Sequence, residues 1–131
     1  MTFVDLTDER EFAPGYSALL RDLGEGRRIE ITYVRFPIPD RSVPSVWTMR
    51  CILDIVDRSM ADENPVFVHC VAGIGRTGTV VGCHLKRHRL ATGQDVLAKI
   101  SELRQFMPYA SNPSLQTPEQ IRMVQAWKNG A

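Results

Sequence analysis

A chain of 131 residues can bury about two-thirds of its unfolded surface, which is enough for one domain with its own hydrophobic core. Its formal net charge of +1 argues against a general attraction to nucleic acid or to acidic membranes. The three cysteines, Cys51, Cys70 and Cys83, have no disulfide-framework spacing, and no apolar segment has the pattern of a membrane span or secretory leader. We therefore expect free thiols, a cytoplasmic location and no membrane partner.

Strands and helices are predicted to alternate along the chain, from the period of the apolar residues and the positions of glycine and proline. The predicted strands are Phe3–Leu6, Glu30–Phe36 and Val66–Val68, and the predicted helices are Tyr16–Leu23, Ser45–Met60, Arg76 or Thr77 to Leu90, Asp95–Met107 and Pro118–Trp127, with Pro14-Gly15 ending any earlier helix. This alternation predicts a single α/β domain over residues 1–131, with a mainly parallel sheet flanked by helices.

The ten residues from His69 to Gly78 join the third predicted strand to the third helix, and they carry the strongest functional pattern. Cys70 is followed by five small or apolar residues, Val71, Ala72, Gly73, Ile74 and Gly75, and then by Arg76 and Thr77. A helix N-terminus favours anions, and the backbone N–H groups of the five-residue segment could surround one. Glycines at positions 73, 75 and 78 are expected to permit the unusual backbone angles of such a cradle.

The side chains of this segment suit nucleophilic attack on a phosphate. A thiolate is a strong nucleophile, and a helix N-terminus and a nearby arginine lower the pKa of a cysteine. The planar fork of Arg76 fits two phosphate oxygens better than a lysine would. Thr77 could donate a hydrogen bond to the sulfur of Cys70, and His69 is expected behind the nucleophile, ordering the loop.

Other interpretations compete for the same residues. Gly73-x-Gly-x-x-Gly78 alone is a dinucleotide-binding fingerprint, but it leaves Cys70 and Arg76 unexplained, and no acidic residue follows at the usual distance. The segment is not a Walker A loop, because no Lys-Ser or Lys-Thr follows the second glycine. A buried cysteine beside a tight turn remains the simplest alternative.

The string His-Cys-x-x-Gly-x-Gly-Arg-Thr-Gly resembles the signature of the cysteine-dependent protein tyrosine phosphatases, in its compact dual-specificity-like form that includes bacterial members. The resemblance implies a dual-specificity phosphatase-like fold, a phosphocysteine intermediate on Cys70, and no metal or cofactor. It also implies a phosphorylated protein as partner, with phosphotyrosine as substrate and phosphoserine or phosphothreonine as further candidates. We expect a monomer. The alternatives left open are a phosphoinositide or RNA 5′-phosphate substrate, and a non-catalytic phosphate-binding module.

Two further segments resemble parts of that family. Asp40 lies in a proline-rich loop thirty residues before Cys70, where the family has its general acid, although an aspartate among prolines also commonly makes an Asx-turn. Gln116 begins a Gln-Thr-x-x-Gln segment whose first glutamine helps to place the attacking water in the family. Thr117, Pro118 and Gln120 form a capping box, so Gln120 is interpreted as structural support.

Some features depart from the family or concern other sites. Family domains usually have at least one strand before the segment that resembles Phe3–Leu6, so a missing first segment, and with it an exposed sheet edge, is expected. His84 and His88 have the spacing of a metal pair, but no third ligand is evident along the sequence. Cys51 and Cys83 are expected in the core, with a disulfide to Cys70 as a weaker alternative. The two tryptophans, Trp47 and Trp127, are expected to pack in the interior.

Overall fold

The computed structural model describes residues 1–11 and 16–131, so the expected helix break at Pro14-Gly15 lies outside the described residues. In chain order, the elements of the described part are β1 (Thr2–Asp5), α1 (Ser17–Arg27), β2 (Thr32–Arg35), α2 (Val46–Ala61), β3 (Val66–His69), α3 (Gly75–Arg87), α4 (Asp95–Leu103) and α5 (Pro118–Ala126). The predicted alternation of strands and helices in a single-domain α/β fold is thereby confirmed.

The three strands form a parallel sheet in the order β2-β1-β3. Asp5, the last residue of β1, pairs with Arg35 on one side and with His69 on the other, so all three strands end at one edge. Segments that leave the carboxyl ends of β2 and β3 therefore emerge at the same edge, on either side of β1, where ligand-binding loops lie in parallel sheets. This edge brings the segment around Asp40 towards Cys70.

Helix α3 is the most buried helix, and it packs against α2, α4 and α5. Its approach to α5 requires a glycine at position 82, because a Cβ added there would lie 2.7 Å from Cγ1 of Val124. The apolar core formed around α3 includes Val4, Ile52, Leu53, Val80 and Ile100. A helix so enclosed places its first residues, which follow the Cys70 loop, in a fixed position relative to the sheet.

Several helix ends differ from the predictions. Helix α3 begins one residue earlier, at Gly75, and ends at Arg87 rather than Leu90, because Arg89 adopts a left-handed conformation with φ of 57°. Helix α1 continues through two glycines to Arg27, and Arg28 ends it with φ of 54°. Helix α4 ends at Leu103, four residues before the predicted end at Met107. A left-handed residue follows α1 and α3, and the apolar period alone does not report it.

The expected packing of the tryptophans is confirmed for one of them and wrong for the other. Trp127 is buried, and its indole N–H donates to the carbonyl oxygen of Ala131 at 3.0 Å. Trp47 is 73% exposed, because it lies two positions before Met49 and therefore on the opposite face of α2 from the buried stripe. The stripe also stops short of the helix ends, where Val46 and Met60 are exposed.

Within the described residues, no helix is both long enough and apolar enough to cross a lipid bilayer. The three cysteines are unpaired, as expected, with Cys70 and Cys83 buried and Cys51 partly buried.

Candidate active site

The loop that follows β3 runs from Cys70 to Ile74 and passes directly into α3 at Gly75. Gly73 has φ of +66°, the left-handed conformation expected of a glycine in such a cradle. Gly75 and Gly78 are helical instead, so the expectation of unusual backbone angles was wrong at these two positions. Both glycines are needed because side chains of the segment before α5 pack directly against them. A Cβ at position 75 would lie 2.5 Å from Oε1 of Gln116, and a Cβ at position 78 would lie 2.1 Å from Oγ of Ser114.

The thiol of Cys70 lies in a buried, donor-rich position at the N-terminal end of α3. The side chain is mostly buried, and Oγ1 of Thr77 donates to its sulfur at 3.1 Å. Burial alone raises the pKa of Cys70, but hydrogen bonds from Thr77 and from the backbone N–H of Gly73, with the charge of Arg76, outweigh it and lower the pKa below its usual value. These donors therefore favour the thiolate form of Cys70.

The side chain of Arg76 is almost completely buried, and three residues contact its guanidinium group. Its two terminal nitrogens donate to the two carboxylate oxygens of Glu11, at 2.6 Å and 2.8 Å. Nη1 also donates to the carbonyl oxygen of Ile38 at 2.9 Å, and Nη2 lies 3.1 Å from Oδ1 of Asp40. The hydrogen bonds from Arg76 lower the pKa of Glu11, so the pair stays ionised and the guanidinium plane is fixed.

Asp40 lies beside this pair at the rim of the site. Its carboxylate reaches Nη2 of Arg76, while 61% of its side chain is exposed. The segment that carries it is anchored on one side by Ile38, which is buried and whose N–H donates to the carbonyl oxygen of Leu6 at 3.2 Å. The structure thus brings Asp40 to the same site as Cys70 and Arg76, in an exposed position.

The glutamine segment lies against the start of α3. The side chain of Gln116 reaches Gly75, as the close approach at that glycine shows. Gln120 is fully buried: its Oε1 accepts from the N–H of Gln116 at 2.8 Å, and its Nε2 donates to the carbonyl oxygen of Ser42 at 3.2 Å. Thr117 caps α5 as predicted, but the side chain of Gln120 bonds to Gln116 instead of closing a capping box. Gln120 thereby ties the Asp40 segment to the glutamine segment.

His69 lies behind the nucleophile in a buried polar network. Its Nδ1 is 3.1 Å from the carbonyl oxygen of Cys70, and its Nε2 bonds to the hydroxyl of Tyr16. Burial raises the pKa of Tyr16 to about 12, so its hydroxyl stays protonated and can donate to His69. Asp5 lies next to this pair, and accepts from the hydroxyls of Thr7 and Tyr33, each at 2.6 Å. The network ties the end of β3 to β1, its neighbour, and through Asp5 to Tyr33 of β2.

The exposed side of the loop opens on a cleft of about 480 Å³. Val71 and Ala72 line it from the loop, and Arg104, Met107 and Tyr109 line it from the segment after α4. Of the expected phosphate-contacting residues, Val71 and Ala72 are exposed and Gly73 is partly exposed, whereas Ile74 and Gly75 are buried. The last two can therefore contribute through their backbone and not through exposed side chains.

Sequence reasoning missed two residues that hold the loop in place. Glu11 binds Arg76 across 65 positions of the chain, and no pattern in the sequence singled it out. Ser114 donates to the carbonyl oxygen of Ile74 at 2.9 Å, and its proximity to the predicted Gln116 was the one available signal. No side chains with metal-ligand spacing occur at this site among the described residues; the group that has such spacing lies between α2 and α3.

Known proteins share parts of this sequence. The family model described as "Polymorphic toxin system, DSP-PTPase phosphatase" matches residues 2–90. The dual specificity protein phosphatase CDC14B of Mus musculus is 38% identical over 60 residues, which cover 46% of this chain and 12% of that protein. The tyrosine-protein phosphatase Lar-like of Caenorhabditis elegans is 33% identical over 110 residues, which cover 80% of this chain and 5% of that protein. The chain thus spans 12% or less of the length of these two relatives.

Solved structures share the fold. The active form of Tk-PTP has a TM-score of 0.69 at 25% identity, covering 95% of this chain and 75% of that chain. PTPMT1 in complex with PI(5)P has a TM-score of 0.70 at 17% identity, covering 96% of this chain and 74% of that chain, which is evidence for the fold alone. With a family model that matches more than half of its length, the chain belongs to the dual-specificity-like cysteine-dependent protein tyrosine phosphatases.

Proposed function

We propose that this domain hydrolyses phosphomonoesters on proteins, phosphotyrosine first and phosphoserine or phosphothreonine as further substrates, through a phosphocysteine on Cys70. The observation that carries the proposal is the juxtaposition of three groups at one sheet edge. A cysteine of lowered pKa begins the anion cradle, a buried arginine closes it, and an exposed aspartate lies 3.1 Å from that arginine. Each is a group that the two-step reaction requires.

In the first step the thiolate of Cys70 attacks phosphorus. A sulfur–phosphorus bond forms and the ester phosphorus–oxygen bond breaks, with its electron pair going to the leaving oxygen. Asp40, in its protonated form, gives that oxygen a proton, as a general acid does. The backbone N–H groups of the loop stabilise the charge on the transferring phosphoryl oxygens. Arg76 adds its Nε–H, and the Nη2–H that now faces Asp40 becomes available when Asp40 turns to the leaving oxygen, while the contacts of both terminal nitrogens with Glu11 are kept.

In the second step water attacks the phosphocysteine. Asp40, now a carboxylate, accepts the proton of the water as its oxygen bonds to phosphorus. The sulfur–phosphorus bond breaks and its electron pair returns to Cys70, where the hydroxyl of Thr77 at 3.1 Å stabilises the thiolate. The products are the dephosphorylated hydroxyl and inorganic phosphate. The position of Gln116 over Gly75 suits a role in orienting this water.

The side chains of the loop favour a substrate with a single phosphate. Val71, Ala72 and Ile74 are uncharged, so they offer no cation to the additional phosphates of a phosphoinositide. The adjoining cleft presents apolar surface from Met107 and Tyr109, which can pack against an aromatic ring such as that of phosphotyrosine. These features support a phosphoprotein substrate over a lipid or RNA phosphate.

The test is the hydrolysis of p-nitrophenyl phosphate by the wild type, Cys70→Ser and Cys51→Ser. We expect Cys70→Ser to lose activity by about 10⁴-fold or more, because a serine hydroxyl is not ionised at neutral pH. Cys51 is partly buried on α2 and outside the site, so Cys51→Ser serves as the matched control and should keep its activity. A folded but inactive wild type, or full activity in Cys70→Ser, contradicts the proposal.

A further inference from the structure

A second cluster of side chains lies between α2 and α3, away from the phosphate loop. His84 lies in the last turn of α3, His88 is the residue that caps the end of that helix, and Asp57 of α2 faces both. Oδ1 of Asp57 lies 3.5 Å from Nδ1 of His84 and 2.8 Å from Nε2 of His88. The two histidines thus have a carboxylate from a neighbouring helix beside them, which was not evident along the sequence.

We propose that Asp57, His84 and His88 form a zinc-binding site that clamps α2 to α3. Two imidazole nitrogens and one carboxylate oxygen are ligands that Zn²⁺ accepts, with water in the fourth position. A tetrahedral ion with bonds of about 2.0–2.2 Å places its ligand atoms roughly 3.4 Å apart. The two measured separations bracket that value, and all three ligand atoms lie within 4.8 Å of one another.

The hydrogen-bonding state of His84 supports the assignment. Its Nδ1 is buried and has no hydrogen-bond partner in the structure. A buried polar atom left unpaired is costly, so it calls for an explanation. Nδ1 lies 3.5 Å from the same carboxylate oxygen that His88 hydrogen-bonds at 2.8 Å, and a cation bound by the three side chains would give Nδ1 of His84 the partner that it lacks.

Arg87 orients the carboxylate of Asp57, and the charges around the three proposed ligands favour a cation. Nη1 of Arg87 lies 3.3 Å from Oδ2 of Asp57, which leaves Oδ1 directed at the histidines, and the same guanidinium is paired with Asp54. The two carboxylates outnumber the one arginine, so the cluster retains net negative charge when both histidines are neutral. Cys83 is not one of the side chains whose ligand atoms lie together here.

A metal at this position would stabilise the fold without taking part in phosphate hydrolysis. It would bridge one helix of the core to the helix that carries Arg76 at its other end. His84 and His88 lie at least nine positions beyond Gly75, which is about 13 Å along the helix at 1.5 Å per residue. The proposal is therefore independent of the proposed phosphatase activity.

The test is the melting temperature of the Cys70→Ser protein with and without Zn²⁺, in which the catalytic thiol cannot compete for the metal. At a Zn²⁺ concentration well above the dissociation constant, we expect a rise of roughly 10 °C that a chelator reverses. Mg²⁺, which prefers oxygen ligands, should give no rise. Co²⁺ bound in place of Zn²⁺ should show the visible absorption of a tetrahedral site.

The variants assign the metal to its ligands. In the same background, His88→Gln and Asp57→Asn should each abolish both the Zn²⁺-dependent rise and the Co²⁺ absorption. Asp54→Asn is the matched control. Asp54 lies one turn before Asp57 on α2 and pairs with Arg87, so the change removes a neighbouring carboxylate but none of the three proposed ligands. It should retain both signals. No rise in the parent, or an equal rise in His88→Gln, overturns the proposal.

Discussion

Cys70 and Asp40 lie at the same edge of the sheet, yet the structure holds them in different ways. Cys70 as a whole is 8% exposed. Its sulfur receives hydrogen bonds from Thr77 and Gly73, on a loop that leads into the most buried helix. The carboxylate is 61% exposed and makes one ion pair, with Arg76. The nucleophile is thus fixed by its surroundings, whereas the acid can change position without disturbing the core.

This difference suits the two roles. Stabilisation of a transition state requires donors that are already in place, so a fixed cradle lowers the barrier without reorganisation. A general acid must instead reach a leaving group whose size varies with the substrate and then a water molecule. Arg76 connects the two regions because it is buried with the cradle and touches Asp40 at its outer end.

The most damaging change to the fixed region, short of removing Cys70 itself, is Arg76→Lys. Lysine keeps the charge but lacks the planar fork, and it would leave Glu11 and the carbonyl oxygen of Ile38 poorly paired. We expect kcat/KM to fall by about 10³-fold on p-nitrophenyl phosphate. Arg122→Lys, on the exposed part of α5, is the control; equal activity in wild type and Arg76→Lys would contradict the account.

Replacing the exposed acid should give an effect that depends on the leaving group. Asp40→Asn cannot supply a proton, so kcat on phenyl phosphate should fall by about 10²–10³-fold. The loss on p-nitrophenyl phosphate should be smaller, because its leaving group is more acidic. Asp62→Asn, in the turn after α2, is the matched control and should behave as wild type. Equal losses on the two substrates would exclude Asp40 as the general acid.

Glu11→Gln tests whether the fixed state of Arg76 matters for catalysis. Glutamine cannot form the two charged hydrogen bonds, so the guanidinium should tilt and kcat/KM should fall by roughly 10-fold or more. Glu9, two positions earlier and exposed, offers the control Glu9→Gln. If Glu11 positions Arg76, Glu11→Asp should recover part of the activity that Glu11→Gln loses. If Glu11→Gln lowers the melting temperature but leaves kcat/KM unchanged, Glu11 serves stability alone.

Thr77→Ala should produce the smallest effect, and one that depends on pH. Removal of the hydroxyl takes away a hydrogen bond that favours the thiolate, so the pKa of Cys70 should rise. A higher pKa leaves less thiolate on the acidic side, so the acidic limb of kcat/KM should move to higher pH. The rate of alkylation by iodoacetamide, measured across pH, should shift in the same direction. Thr77→Ser should retain the wild-type profile, and an unshifted Thr77→Ala profile would count against this contact.

The parts of the site that are local in sequence could be predicted. Cys70, Arg76 and Thr77 lie within eight positions at a strand-to-helix junction, so their spacing determines their geometry. Asp40 could be identified from its resemblance to the acid loop of the family, and its position after the second strand places it at the same sheet edge as Cys70. The parallel sheet itself followed from the alternation of strands and helices.

The contacts between distant segments could not be predicted. Glu11 contacts Arg76, and Asp57 contacts His84, only because the fold brings distant segments together. No periodic pattern in the sequence predicts either pair. The exposure of Trp47 was missed because an apolar residue near a helical stripe was assigned to the core without regard to which face it occupied. The spacing of residues along the chain predicts helices, strands and local motifs. Contacts between side chains of distant segments depend on how those segments pack, which the spacing does not record.

The most direct test of the account is mass spectrometry of acid-quenched protein after incubation with p-nitrophenyl phosphate. We predict that the Gln116→Ala and Asp40→Ala variants, in which the second step is slowed, carry one added phosphoryl group on the peptide that contains Cys70. The adduct should be absent when Cys70→Ser is combined with either change. Release of p-nitrophenol with no adduct in either variant, or an adduct on another residue, would contradict a phosphocysteine mechanism at Cys70.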